Sequence, residues 1–374
     1  MPKRLKFVIA PDSFKGSISA ADAARAIARG LERGIGSLCP IETVMLPIAD
    51  GGEGTLAALV PPDRRIETEV TGTGGDRITA AYGSMGHTAV IEMARAAGLT
   101  LVEEGRRSAQ TATTFGVGEL ILHALGSGFR DFLLTVGGSG TNDGGCGMLA
   151  ALGATFRRKN GDSFLPTGGT LDQITSIDIS KLDPRLADCR FTIATDVTNP
   201  LLGTEGATYV YARQKGADDA ALAQMEAGMT HYAALLRELC GIDVASIPGC
   251  GAGGGISAPL LGFCGAAIRS GIDAVLDATD FQARLQGVHA VITGEGKIDR
   301  QSLFGKAISG VANAAAKAKV PVYALVGCIG DDKEALLKMG LADIIAIGDL
   351  APDAAYSMTH ADELLEQAAA TLRF

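Results

Sequence analysis

The chain has 374 residues, with 33 Lys and Arg against 42 Asp and Glu, and its formal charge of −9 argues against non-specific binding to nucleic acid. A hydrophobic fraction of 47% with 20% charged residues excludes a disordered chain, and 5% aromatics without any Trp disfavour a base-stacking or sugar-stacking platform. The 50 glycines, about twice the usual share, cluster after apolar runs without a fixed period, which excludes collagen-like and linker readings.

The chain is long enough for two domains, each with its own core. Residues 6–12 (KFVIAPD) predict a buried first strand with Pro-Asp at its exit. A helix follows over 17–33, with Ser19 and Asp22 in a capping arrangement and Gly34 and Gly36 as stop signals. Residues 41–46 give a second strand, leading through PIADGGEGT into a short helix. Then 65–71, 76–84 and 88–93 read as short strands with glycine turns, the texture of a mixed or antiparallel sheet. Helices are expected over 113–125, 144–152 and 218–240, and strands at 132–136 and 191–195. The end of the chain returns to strand–helix alternation: strands at 288–293, 320–327 and 343–347, and helices at 302–318, 333–338 and 359–372.

That order predicts an α/β protein of two domains. An α/β domain with a parallel sheet is built from both chain ends (1–62 plus 288–374), and a mixed-sheet α/β domain (63–287) is inserted between them. Seven Cys, an odd number with no Cys-x-x-Cys pair, read as reduced thiols in a cytoplasmic protein. The start MPKRLKFVIAPD does not read as a secretory leader, and no run of about 18 apolar residues predicts a membrane span. No heptad or apolar interface stripe stands out, so a monomer or a homodimer is expected.

The chemistry concentrates in loops at strand exits, where an α/β sheet binds ligands. The stretch 137–147, GGSGTNDGGCG, exposes backbone N–H groups without Cβ obstruction and suits a bound oxyanion. GEGKIDRQS, after the strand ending at Thr293, repeats its Gly-x-Gly-x-x-Asp spacing: Gly138, Gly140 and Asp143 against Gly294, Gly296 and Asp299. Lys15, the one cation of DSFKGS, either meets a phosphate or carboxylate or is a solvated loop lysine. Asp50 and Glu53, in a glycine-rich turn that opens a helix, are either N-terminal caps or contacts to Mg²⁺ or substrate hydroxyls. Asp196, directly after an apolar strand, is where phosphoryl-transfer enzymes place a base or a metal ligand; the plainer reading is an Asx-turn before Pro200. The glycines of 249–255 either approach a nucleotide or ease packing. Cys146 reads as a small buried residue rather than a nucleophile, since it has no evident His partner.

Other mechanisms drop out. No Gly-x-x-x-x-Gly-Lys-Ser/Thr occurs. Asp143 and Asp299 stand where a dinucleotide fingerprint wants Gly or Ala. His87, His123, His231, His289 and His360 are scattered without metal-ligand spacing.

Six blocks in order, APDSFKGS (10–17), PIADGGEGT (47–55), GGSGTNDGGCGML (137–149), ATDVTNPLLG (194–203), GAGGGI (251–256) and TGEGKIDRQSLFGKA (293–307), resemble the type I glycerate kinases of bacteria over nearly the whole chain. The resemblance implies ATP-dependent phosphorylation of D-glycerate with Mg²⁺, giving 2-phosphoglycerate rather than 3-phosphoglycerate. It also implies two α/β domains, a Rossmann-like one from both chain ends and a second between, with the active site in the cleft between them. Asp196 and Lys15 are then the catalytic candidates, and Asp196 and Asp299 the metal candidates. Substrate or nucleotide contacts are expected at Ser13, Ser17, Asp50, Gly51 and Glu53; at Gly138, Ser139, Gly140, Asn142 and Asp143; at Asn199, Gly253 and Gly254; and at Gly294, Glu295, Lys297 and Ser302. A kinase for a related small hydroxy acid is the nearest rival. A non-catalytic sensor of sugar acids or nucleotides is disfavoured, because uncompensated carboxylates repel anionic ligands.

Overall fold

A computed structural model describes residues 4–299, 307–330, 332–338 and 340–374. The strands, in chain order, are β1 (Leu5–Pro11), β2 (Ile41–Met45), β3 (Arg65–Thr71), β4 (Arg77–Met85), β5 (Thr88–Glu92), β6 (Asp131–Thr135) and β7 (Thr155–Arg157). They continue as β8 (Ser163–Phe164), β9 (Ser176–Asp178), β10 (Arg190–Ala194), β11 (Ala267–Arg269), β12 (Ala290–Ile298), β13 (Val322–Ile329) and β14 (Leu341–Ala346). The chain divides into two compact units. One comprises Met1–Asp50, Ala57–Leu59 and Ser270–Phe374, the other Gly51–Leu56 and Val60–Arg269.

The first unit holds a five-stranded, all-parallel sheet in the order β14-β13-β12-β1-β2. Numbered within the unit, the strands run 2-1-3-4-5, a doubly wound order whose ligand crevice lies where the order reverses, between strands one and three. Here that point lies between β1 and β12, paired through Pro11 and Gly294. Both faces of β1 are covered, which explains its unbroken apolar run. Phe7 and Ile9 pack with Ala23, Ile27 and Leu365, while Val8 and Ala10 pack with Ile272, Ile308 and Val311. Helix Ala20–Arg33 begins at Ser19, whose hydroxyl accepts from the Asp22 N–H at 3.1 Å. It packs closely on helix Ala361–Thr371, because a Cβ at Gly30 would sit 2.3 Å from the Glu366 carbonyl oxygen.

Three details of this unit differ from the sequence reading. Residues 294–298 are strand, not loop: β12 pairs with β13 as far as Ile298, opposite Ile329. The C-terminal helix is two, Ala354–Thr359 and Ala361–Thr371, separated at His360. Helices Gly271–Ala278 and Phe281–Arg284 lie in this unit, because Ile272, Val275, Phe281 and Leu285 share its core with Val291 and Ile308.

The second unit holds a mixed six-stranded sheet, β11-β10-β6-β5-β4-β3, in which β11, β10, β6 and β5 are parallel and β4 and β3 antiparallel. A small antiparallel sheet, β8-β7-β9, accompanies it. Phe132 of β6 and Phe191 of β10 stack with centroids 4.6 Å apart in its core. The 22-residue helix Asp219–Cys240 starts at Asp218, whose carboxylate accepts from the Ala221 N–H at 2.8 Å. Among the described residues no helix is long and apolar enough to cross a membrane. All seven cysteines are free thiols.

Candidate functional site

In the first unit a cavity of about 370 Å³ opens at the carboxyl ends of the parallel strands. Its polar lining includes Asp12, Lys15, Asp50, Glu295 and Lys297, and Phe14, Ile347 and Met358 supply apolar wall. The backbone dictates this gathering. The Asp12 N–H donates to the Gly294 carbonyl at 2.8 Å, and the Ile48 N–H donates to the Pro11 carbonyl at 3.0 Å. Three neighbouring strands therefore each deliver one carboxylate, Asp12 beyond β1, Asp50 beyond β2 and Glu295 within β12. Burial, with the Asp50 and Glu295 charges adding to it, pushes the Asp12 carboxyl up from 3.8 to about 7, against the Ser13 N–H bond that favours its ionised form.

Ser13, Lys15 and Ser17 all line this cavity, and the Ser17 hydroxyl donates to the Met358 carbonyl at 2.5 Å. Gly294 is a buried strand residue. The exposed Lys297 pairs with Asp299 at 3.2 Å. Ser302 lies outside the described residues.

The remaining candidates belong to the second unit, at the carboxyl ends of its parallel strands. The turn 51–54 packs directly against the loop after β6: a Cβ at Gly137 would sit 2.8 Å from the Gly52 Cα. Gly51, Glu53, Gly138 and Ser139 are thereby brought together. A carboxylate from outside the turn serves the start of helix Thr55–Leu59. Glu92, fully buried, accepts from the Gly54 and Leu56 N–H groups at 3.1 and 2.9 Å.

Asn142 and Asp143 turn inward, both at 0% exposure. Asp143 accepts from the Thr114 N–H and hydroxyl, each at 2.8 Å, and from the Gly145 and Gly147 N–H groups at 3.0 and 3.1 Å. Burial raises its pKa while these donors oppose the rise. Asn142 donates to the Thr208 hydroxyl at 3.2 Å. These two side chains therefore fix the shape of the loop. Cys146 is also fully buried, and burial followed by the Asp143 charge pushes its thiol well up, which suits packing rather than nucleophilic chemistry.

Gly253 and Gly254 are buried, and the Gly254 carbonyl accepts from the Gly144 N–H at 3.0 Å. Gly140 is buried too, donating its N–H to the Ala97 carbonyl at 2.8 Å. Asn199 donates to the Glu205 carbonyl and accepts from the Tyr211 hydroxyl, both at 2.7 Å. Asp196 stands exposed just beyond β10.

Two residues escaped the sequence reading. Asp12 stood in a quoted block at a strand exit, so its position was a usable signal, although its raised pKa was not legible. Lys215, at 1% exposure, donates to the Ser139 hydroxyl oxygen at 2.8 Å and to the Thr141 carbonyl at 2.7 Å. Burial pushes its pKa down from 10.5 to about 7, with Asp143 opposing.

Among the described residues no group of three or more His, Cys, Asp or Glu side chains is placed to hold a metal ion. The donors at these strand ends are carboxylate oxygens. That set fits Mg²⁺, which takes one or two carboxylates and completes its shell with phosphate oxygens and water.

Comparison with known proteins gives a consistent answer. The model of the glycerate kinase family matches residues 7–373. The glycerate 2-kinase of Escherichia coli (strain K12) is 42% identical over 348 residues, 92% of this chain and 90% of that protein. The glycerate kinase of Bacillus subtilis (strain 168) is 43% identical over 370 residues, 98% of this chain and 96% of that protein. A crystal structure from Salmonella typhimurium LT2, provisionally assigned as glycerate kinase 2, superposes with a TM-score of 0.87 at 40% identity, covering 98% of this chain and 97% of its own.

Proposed function

Because the chain belongs to the glycerate kinase family, we propose that it transfers the terminal phosphoryl group of ATP to D-glycerate with Mg²⁺, forming 2-phosphoglycerate. The observation that carries this reading is identity above 40%, over more than nine-tenths of the chain, to a glycerate 2-kinase and a glycerate kinase. The doubly wound sheet supports it, with its cavity at the reversal of strand order, where such sheets take nucleotides.

In this reading the phosphoryl group passes between two oxygens and the protein's task is to orient and to neutralise charge. Bound Mg²⁺ would offset phosphate charge, and Asp196 or Asp299 would each be suited to ligate it. Lys15 sits at the cavity and neutralises charge on the transferred phosphoryl group or on the glycerate carboxylate. Asp196, exposed and short, takes the proton of the attacking hydroxyl when it is not ligating metal. A specific observation favours Asp12 as a second base: a carboxyl with a pKa of about 7 is matched to proton abstraction at neutral pH.

Steady-state ADP release with D-glycerate and MgATP tests these roles. Asp196→Asn is expected to abolish turnover with the fold intact, and Lys15→Ala to lose at least about tenfold in kcat/KM, a loss of roughly 1.4 kcal/mol or more of transition-state stabilisation. Near-normal kcat in the first variant, or less than about a threefold loss in the second, would remove that residue from the mechanism.

A further inference from the structure

Ser139 lies at the tip of the glycine loop, after Gly138, which is exposed and carries no side chain. Its hydroxyl oxygen is occupied as an acceptor, because Lys215 donates to it at 2.8 Å. A serine hydroxyl has one hydrogen to give, and among the described residues no protein acceptor takes this one. The same lysine holds the next turn of the loop through the Thr141 carbonyl at 2.7 Å. It needs only two N–H bonds for this, so the arrangement survives in either protonation state. A lysine at 1% exposure is costly to desolvate, and Asp143 and Asn142 also brace the loop from within.

We infer that Lys215 is a positioning residue, holding the Ser139 hydroxyl as an acceptor so that its hydrogen is donated outward to an oxyanion of a bound substrate, either the glycerate carboxylate or a nucleotide phosphate. The inference rests on the glycerate kinase reading. The residue acts through Ser139 and does not itself touch the ligand.

A double-mutant cycle tests this on the full-length protein, with KM and kcat measured for D-glycerate and for ATP and calorimetric binding of each. Lys215→Met and Ser139→Ala are each expected to raise one of the two KM values at least about tenfold. The double variant should fall within about threefold of Ser139→Ala alone, because the second change removes what the first acts through. Ser139→Thr, which keeps the hydroxyl, should restore most of the affinity. A rise in the glycerate KM identifies the carboxylate as the ligand, and a rise in the ATP KM identifies the phosphate. If Lys215→Met fails to fold by circular dichroism, Lys215→Gln, which keeps a buried donor, is measured in its place.

Either of two results overturns the inference while wild-type activity stands: a lowered Tm with both KM values within about twofold of wild type, or effects that multiply in the double variant. A wild-type protein that neither binds nor phosphorylates glycerate removes the functional reading and the inference together.

Discussion

Asp12 is a carboxyl group held where its charge is unwelcome, surrounded by protein and facing Asp50 and Glu295 across three adjacent strand ends. Its folded-state pKa of about 7, against 3.8 without these surroundings, means that the folded protein binds this proton more tightly than the unfolded chain does. Stability from this group is therefore intact below about pH 4, falls as pH rises between about 4 and 7, and is fully lost above that. A shift of this size corresponds to at most about 4 kcal/mol. Asp12→Asn keeps an acceptor for the Ser13 N–H and removes the charge. It should match wild type in thermal unfolding near pH 4 and exceed it near pH 8, while losing activity if Asp12 serves as base. A stability difference that does not grow with pH would contradict this account of the site. The contrast with Lys215 shows what could be read beforehand. Asp12 stood in a recognisable block at a strand exit; Lys215, in YARQKGADDA, reads as an ordinary solvated lysine, and only a contact with residues 74 and 76 positions earlier buries it.

At the level of elements, the sequence carried the longer strands and helices because their apolar spacing is local, whereas the short strands β7, β8, β9 and β11 were not in its reading. It misjudged the places where a neighbour decides. Residues 294–298 contain two glycines and two charged residues, so they read as loop; pairing with β13 makes them strand and sets Glu295 and Lys297 on a rigid edge of the cavity. Asn142 and Asp143, expected as ligand contacts, also have internal partners in Thr208 and Thr114 that no local pattern announces. The helix pair Ala20–Arg33 and Ala361–Thr371 shows the same dependence through Gly30, where only a hydrogen fits against the Glu366 carbonyl. Gly30→Ala would force these helices apart. An expected loss of about 1–3 kcal/mol, despite the better intrinsic helix propensity of alanine, can be read from urea unfolding. A stabilised variant would show that the two helices are not in such close contact.

For the whole molecule, the chain belongs to the glycerate kinase family, and its two units each present loops at the carboxyl ends of parallel strands. One offers a cavity with carboxylates, lysines and an apolar wall; the other offers a glycine loop braced from below by a buried lysine. The α/β class and the order of blocks were legible because strand–loop–helix grammar and six motifs are written along the chain. Which side chains face outward was not, because that depends on strand order. The measurement that tests the central claim most directly is to incubate the protein with MgATP and D-glycerate and to follow ADP release while identifying the phosphorylated product by ³¹P and ¹H NMR. The account predicts ADP release that requires both glycerate and Mg²⁺, with the phosphate on the C2 oxygen. Phosphate on the C3 oxygen would contradict the regiochemistry, and ADP release indifferent to glycerate would contradict the function itself.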